Sequence, residues 1–209
     1  MSKNKYPNLN KIEQLYSNNI KKFGTKAESV GWGTQEKQDL RFLKLLSVVT
    51  DSTKPFSVNE LGCGYGEFVK YCGRNGYKLS KYDGYDISSE MLKAAREYLK
   101  DSSKINLHNN ATIGTQAEYT IASGIFNVMF DNNQRDWEEH IKTTIRNMYE
   151  TSSKGIAFNL LTKYVDYEIE YLYYADPLYF FEFCKKQISQ KVVLIHDYEL
   201  FEWTINLKK

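Results

Sequence analysis

The chain has 209 residues, of which 42% are hydrophobic and 15% aromatic, a composition that excludes intrinsic disorder and suits one α/β domain with a buried core. Its 28 Lys and Arg nearly balance 26 Asp and Glu, and the formal net charge of +2 is too small for the footprint of a nucleic-acid binder. Cys63, Cys72 and Cys184 show no CxxC spacing and no His cluster, so neither a disulfide framework nor a zinc site is expected and all three read as packing residues.

In chain order, the opening MSKNKYPNLN has charge but no apolar run, so neither a signal peptide nor a membrane anchor is expected and the default location is cytoplasmic. Leu9, Ile12, Leu15, Tyr16, Ile20 and Phe23 recur at helical spacing and predict an N-terminal helix, followed by a glycine-punctuated loop over 24–34. A second helix is predicted over 35–49, with Leu40, Leu43 and Leu46 inward. Alternating elements follow: strand 57–61, helix 67–75, strand 81–86, helix 89–100 capped by Ser88, and a weak strand 104–107. After a polar loop over 108–118 come strand 119–126, a helix with Trp137, Ile141, Ile145 and Met148 as a core stripe, and strand 155–160. Asp176 and Pro177 read as the N-cap and first residue of a further helix, and 191–196 with 201–207 as a hairpin. So short a connection makes only an antiparallel pair.

The stretch SVNELGCGYGEF, residues 57–68, sets Gly62, Gly64 and Gly66 in a GxGxG turn behind a strand and before a helix, and Asp86 closes the next strand. In open α/β sheets this series builds a nucleotide pocket, in which glycines let the backbone approach and the acid receives a ribose hydroxyl pair. GxGxG behind Glu60 differs from the GxGxxG that seats a pyrophosphate on a helix N-terminus. Residues 60–66, ELGCGYG, instead resemble the first motif of the class I (Rossmann-like) S-adenosylmethionine-dependent methyltransferases of the small stand-alone bacterial type. The antiparallel final hairpin is a second point of resemblance. The fold implied is α/β: a Rossmann-like, seven-stranded, mostly parallel sheet in the order 3-2-1-4-5-7-6, last strand antiparallel, with helices on both faces. Residues 1–209 are then expected to form a single domain, with 1–50 an N-terminal helical lid and 55–209 the Rossmann-like core.

The cofactor implied by the resemblance is S-adenosyl-L-methionine, released as S-adenosyl-L-homocysteine (SAH). It carries an ammonium, a carboxylate, a sulfonium and a ribose diol, but no phosphate. By resemblance the turn of Gly62, Cys63, Gly64 and Gly66 passes under the methionine part, Glu60 faces the ammonium, and Asp86 takes both ribose hydroxyls. Ile87 and Met91 flank the adenine, Asn110 and Ala111 reach its edge, and Ser123 and Gly124 let the chain pass close to the sulfonium. Trp32, between Gly31 and Gly33, and Tyr16 are candidates to cover the cofactor, excluding water and attracting the sulfonium by cation–π contact. No metal site is expected.

For the acceptor, Asn127 at the end of SGIFN offers an amide, and this segment departs from the Asp/Asn-Pro-Pro-Tyr motif of amino-methylating DNA enzymes. His196, at the turn of the final hairpin, is the candidate base near neutral pH, with Tyr164 a further catalytic candidate. Gln38 and Arg41 behind the lid, Tyr171, Tyr173 and Tyr174 in a connection rich in phenols and acids, and Tyr198 are candidates to bind substrate. These groups suit methyl transfer to a small polar acceptor at oxygen, such as a sugar, a surface-glycan precursor or a related metabolite. The alternatives are a methyltransferase acting on RNA or protein, a non-catalytic S-adenosylmethionine-binding module, and an NAD-dependent oxidoreductase. The expected partner is a small-molecule substrate, with neither nucleic acid nor membrane; the oligomeric state stays open.

Overall fold

The computed structural model describes residues 7–100 and 102–209; the residues MSKNKY, on which the reading of the N-terminus partly rests, lie outside them. Runs rich in β-branched and aromatic residues form seven strands: β1 (Phe56–Leu61), β2 (Leu79–Asp86), β3 (Ile105–Asn109), β4 (Ala117–Ala122), β5 (Ser152–Leu161), β6 (Lys191–Ile195) and β7 (Glu202–Lys208). They make one sheet in the order β3-β2-β1-β4-β5-β7-β6, the order expected from the sequence. β1 to β5 are parallel, and β7 runs antiparallel to both β5 and β6.

The helices are α1 (Asn10–Phe23), α2 (Gln35–Leu46), α3 (Glu67–Arg74), α4 (Ser89–Leu99), α5 (Gln134–Glu150) and α6 (Pro177–Gln187), with a 3₁₀ turn at Ala27–Val30. Four starts are marked chemically. The side chains of Thr34, Ser88, Asn133 and Asp176 accept from backbone N–H groups of Lys37, Met91, Arg135 and Leu178, each cap contributing about 1 kcal/mol.

Two expectations need correction. The inward face of α2 carries Gln38, Arg41, Phe42, Leu45 and Leu46, whereas Leu43 is 50% exposed. Counting apolar residues alone rotates that face, because two polar side chains share the buried side. β4 stops at Ala122 rather than Phe126, since Gly124 adopts φ 68° and turns the chain out of the sheet.

Trp137, Ile141, Ile145 and Met148 of α5 pack with Phe180 and Phe183 of α6 and Trp203 of β7 in one core cluster. Phe42, Leu45, Phe68 and Cys72 belong to a second. Trp137 and Trp203 donate their indole N–H to the carbonyls of Phe126 (3.0 Å) and Ala175 (3.3 Å), so burying them leaves no donor unpaired. All three cysteines are buried free thiols. Among the described residues no helix is long and apolar enough to cross a membrane.

Candidate active site

At the carboxyl ends of β1, β2 and β4, beside α1 and the 3₁₀ turn, lies a cavity with about 980 Å³ of free space, counting the part open to solvent. Ligand crevices of open α/β sheets lie at this end of the strands. Of the residues expected at a cofactor, Glu60, Gly62, Cys63, Gly64, Asp86, Ile87, Met91, Asn110, Ala111, Ser123, Gly124, Trp32 and Tyr16 border it. Gly66 does not. It caps α3 at φ 87°, and a Cβ there would stand 2.6 Å from Leu99 Cδ1, so this glycine serves the docking of the turn against α4.

Asp86 ties the turn to β2: its Oδ2 accepts from the Gly64 N–H and its Oδ1 from the Ser88 N–H, both at 2.8 Å. A carboxylate has about four acceptor sites, so two such bonds leave capacity for a hydroxyl pair. Burial pushes the Asp86 carboxyl up to about 6 in spite of these N–H groups. Glu60 is pushed further, to about 8, again by burial; the Tyr82 hydroxyl that donates to it opposes the rise, and the charges of Asp86 and Glu67 add to it. Glu67 also borders the cavity, answered by Arg74 at 2.7 Å and the Tyr98 hydroxyl at 2.8 Å. Burial pushes the Cys63 thiol well up, with Asp86 and Glu60 adding to the rise, so it is a poor nucleophile. The Tyr16 phenol is pushed up to about 12 by burial first and by the Asp86 charge second, and it stays protonated.

Among the described residues no Lys or Arg borders the cavity. An apolar cavity with buried carboxylates and no cation favours a positively charged ligand and disfavours a phosphate. Ser123 Oγ is buried there without a hydrogen-bond partner among the described residues, a second feature that asks for a polar ligand.

The Trp32 indole roofs the cavity over Gly124, where a Cβ would come within 2.3 Å of its Cη2. The cation on its face is the Arg41 guanidinium, 3.7 Å from the ring centroid. Arg41 itself does not border the cavity, because its N–H groups bond Glu202 at 2.6–3.0 Å and the Lys37 carbonyl at 2.8 Å. Gln38 does border it and accepts from the Tyr65 hydroxyl at 3.2 Å.

The remaining candidates stand outside the cavity lining. His196 is exposed at the turn after β6, its ring 6.0 Å from that of Tyr164, which is itself 57% exposed. Asn127 is buried, its Oδ1 accepting from the Leu161 N–H at 3.0 Å, so it pins the turn after β4 to β5. Tyr171 stacks on Phe130; Tyr173 donates to Glu138 at 3.1 Å; Tyr174 accepts from the Ile169 N–H at 3.0 Å; and Tyr198 pairs with the Thr204 hydroxyl at 2.9 Å.

His140, which sequence reasoning ranked a weaker base candidate on the helix face opposite the Trp137 stripe, and Thr144, which it did not name, border the cavity one turn apart on α5. No helix separates β3 from β4, so this flank of α5 meets the cavity directly. The His140 ring stands 5.3 Å from that of Trp137, and burial pushes its imidazole below the ordinary 6.5, leaving it neutral at neutral pH. Leu9, Ile12, Val30 and Phe42 complete the apolar part of the wall.

Residues 59–155 match the family model described as a methyltransferase domain. Over 163 residues, 77% of this chain and 98% of the relative, the chain is 39% identical to the Mycobacterium tuberculosis (strain ATCC 25618 / H37Rv) protein Rv1506c, whose name designates a methyltransferase. The fold is similar to that of magnesium protoporphyrin IX methyltransferase from Synechocystis PCC 6803, crystallised with SAH: TM-score 0.64 at 11% identity, covering 97% of this chain and 100% of that one. It is also similar to the N-methyltransferase NodS from Bradyrhizobium japonicum WM9, with TM-score 0.59 at 11% identity over 83% and 95% of the two chains. Relative, family model, sheet order and glycine turn agree, and the chain belongs to the class I (Rossmann-like) S-adenosylmethionine-dependent methyltransferases.

Proposed function

We propose that this cavity binds S-adenosylmethionine and that the chain transfers the methyl group to a small polar acceptor at oxygen. The observation that carries the reading is the pairing of Glu60 and Asp86 with the glycine turn in a cavity that, among the described residues, no Lys or Arg borders. Such a lining suits an ammonium, a sulfonium and a ribose diol, and it suits the pyrophosphate of a nicotinamide cofactor poorly. In this reading Asp86 accepts the ribose hydroxyls, Glu60 faces the ammonium, Ile87 and Met91 flank the base, and Asn110 and Ala111 stand at its edge. Ser123 Oγ, buried and unpartnered, bonds to the ligand.

When bound, the cofactor supplies an electrophilic methyl group on sulfur. The chain's own residues then orient the acceptor and keep water out, which accounts for most of the rate in a displacement of this kind. Trp32, Phe42 and Ile12 give the wall its apolar character. The neutral His140 imidazole is the group we assign to take the hydroxyl proton, since among the described residues its ring nitrogens have no hydrogen bond to the protein. A small acceptor is in keeping with the Synechocystis neighbour, named for magnesium protoporphyrin IX.

Calorimetric titration with SAH, and with NADH in parallel, tests the cofactor. Micromolar binding of SAH alone supports it, whereas binding of NADH alone, or of neither, refutes it. An acceptor screen with labelled S-adenosylmethionine, followed by mass spectrometry of the product, then decides between oxygen and nitrogen.

A further inference from the structure

Five residues from distant parts of the chain close a ring of contacts behind the roof of the cavity. Gly124, against which Trp32 lies, donates its backbone N–H to Asn159 Oδ1 at 2.7 Å. Asn159 Nδ2 donates to Glu202 Oε2 at 2.7 Å. Glu202 accepts from Arg41 Nη2 at 2.6 Å and from Nε at 3.0 Å. The Arg41 guanidinium, 3.7 Å from the Trp32 ring centroid, completes the circuit. Arg41 is 7% exposed, Glu202 1% and Asn159 fully buried.

A buried ion pair is weak as a source of stability, because desolvation offsets the attraction and an apolar pair of similar volume often does as well. What Arg41 offers that an apolar residue cannot is a flat cationic face held at a fixed angle. Its Nε and Nη2 donate in plane to Glu202 and its Nη1 to the Lys37 carbonyl, which leaves the face of the guanidinium to the indole. Trp32 needs such support. It lies between the 3₁₀ turn and α2, outside any helix or strand, directly after Gly31, which has positive φ. One backbone bond, from its N–H to the Ala27 carbonyl at 2.9 Å, ties it to the turn.

We propose that Glu202 and Asn159 are positioning residues for the methyl-transfer site: through Arg41 and Gly124 they hold the Trp32 indole as a preset roof, closed before ligand arrives. The inference rests on the reading of the cavity as the cofactor site. Neither residue borders the cavity, so each acts only through its neighbours.

Trp137 and Trp203 are buried and Trp32 is partly exposed, so acrylamide quenching of the ligand-free protein reports chiefly on Trp32. Arg41→Lys, which keeps the charge but loses the flat face, should raise quenching above wild type and weaken SAH binding about 5-fold. The neutral pair Arg41→Met with Glu202→Gln, which leaves Asn159 an acceptor, should keep the thermal midpoint while freeing Trp32 in the same way. In a Trp32→Ala background Arg41→Lys should weaken SAH binding no further. Wild-type quenching in the neutral pair overturns the proposal, as do effects of Arg41→Lys and Trp32→Ala that simply add. Should the neutral pair fail to fold, quenching of Arg41→Lys alone decides. Failure of wild type to bind SAH sinks the cofactor reading, and the ligand-free quenching comparison still decides whether the network positions Trp32.

Discussion

Replacing Glu60 by Gln should separate the stability of this fold from its function. The carboxyl is 2% exposed, and burial pushes it from the ordinary 4.5 up to about 8. A raised carboxyl holds its proton more tightly in the folded chain than in the unfolded one. Its contribution to stability is therefore fully present below about 4.5 and is lost as pH rises toward 8. At pH 7 the unfolded chain gains from ionisation over the interval above 4.5, at about 1.4 kcal/mol per pH unit, which comes to ~3 kcal/mol against the fold. Gln cannot ionise, yet it keeps an oxygen for the Tyr82 hydroxyl. The variant should match wild type near pH 4.5 and exceed it at pH 7 by up to ~3 kcal/mol, or roughly 6–12 °C for a chain of this size. Thermal melts from pH 4.5 to 8.5 measure the difference directly. S-adenosylmethionine affinity should fall more than ~10-fold in the same protein, because the ammonium loses its counter-charge. Parallel melting profiles for the two proteins, or a variant less stable than wild type at pH 7, would refute the reasoning.

The same two acids predict linkage between ligand and proton. As pH rises from 5.5 to 8.5, Asp86 and then Glu60 ionise, so S-adenosylmethionine should bind more tightly and release protons, with SAH gaining less because its sulfur is uncharged; calorimetry in buffers of different ionisation heat reads both, and flat profiles for both ligands contradict the assignment. Gly124→Ala forces a side chain into φ 68° at a cost of about 1–2 kcal/mol and drives a Cβ into the Trp32 indole; unchanged tryptophan fluorescence and SAH affinity would show that the roof does not rest there. His140→Phe should lower kcat by about 100-fold while SAH affinity changes little, and an equal loss in both would make His140 a binding residue instead.

The sheet order, the reversed last strand and most of the cavity floor were legible because they depend on local signals. Glycine spacing, a strand-ending acid and a hairpin too short for a crossover can all be read over a few residues. The tyrosines of 164–174 were read from composition as a substrate wall; those named there stand outside the cavity lining, and Tyr173 and Tyr174 engage Glu138 and the Ile169 N–H. His140 was ranked low because it was read as lying opposite the Trp137 stripe, whereas its ring stands 5.3 Å from that of Trp137 and borders the cavity. Arg41 was read as a candidate to bind substrate, whereas its guanidinium is buried against Glu202. Its partner Glu202 lies 161 positions away, and no periodicity links them.

That separation has a consequence for synthesis. As the chain leaves the ribosome, Trp32 and Arg41 emerge 161 positions or more ahead of Glu202 on β7, the carboxylate that Arg41 meets. A nascent chain can already pair β1 to β5 and set the glycine turn against Asp86, while Arg41 still lacks its counter-ion. The Arg41–Glu202 contact thus forms only after β7 is made, and a chain cut short before Glu202 would carry the glycine turn and Asp86 without it.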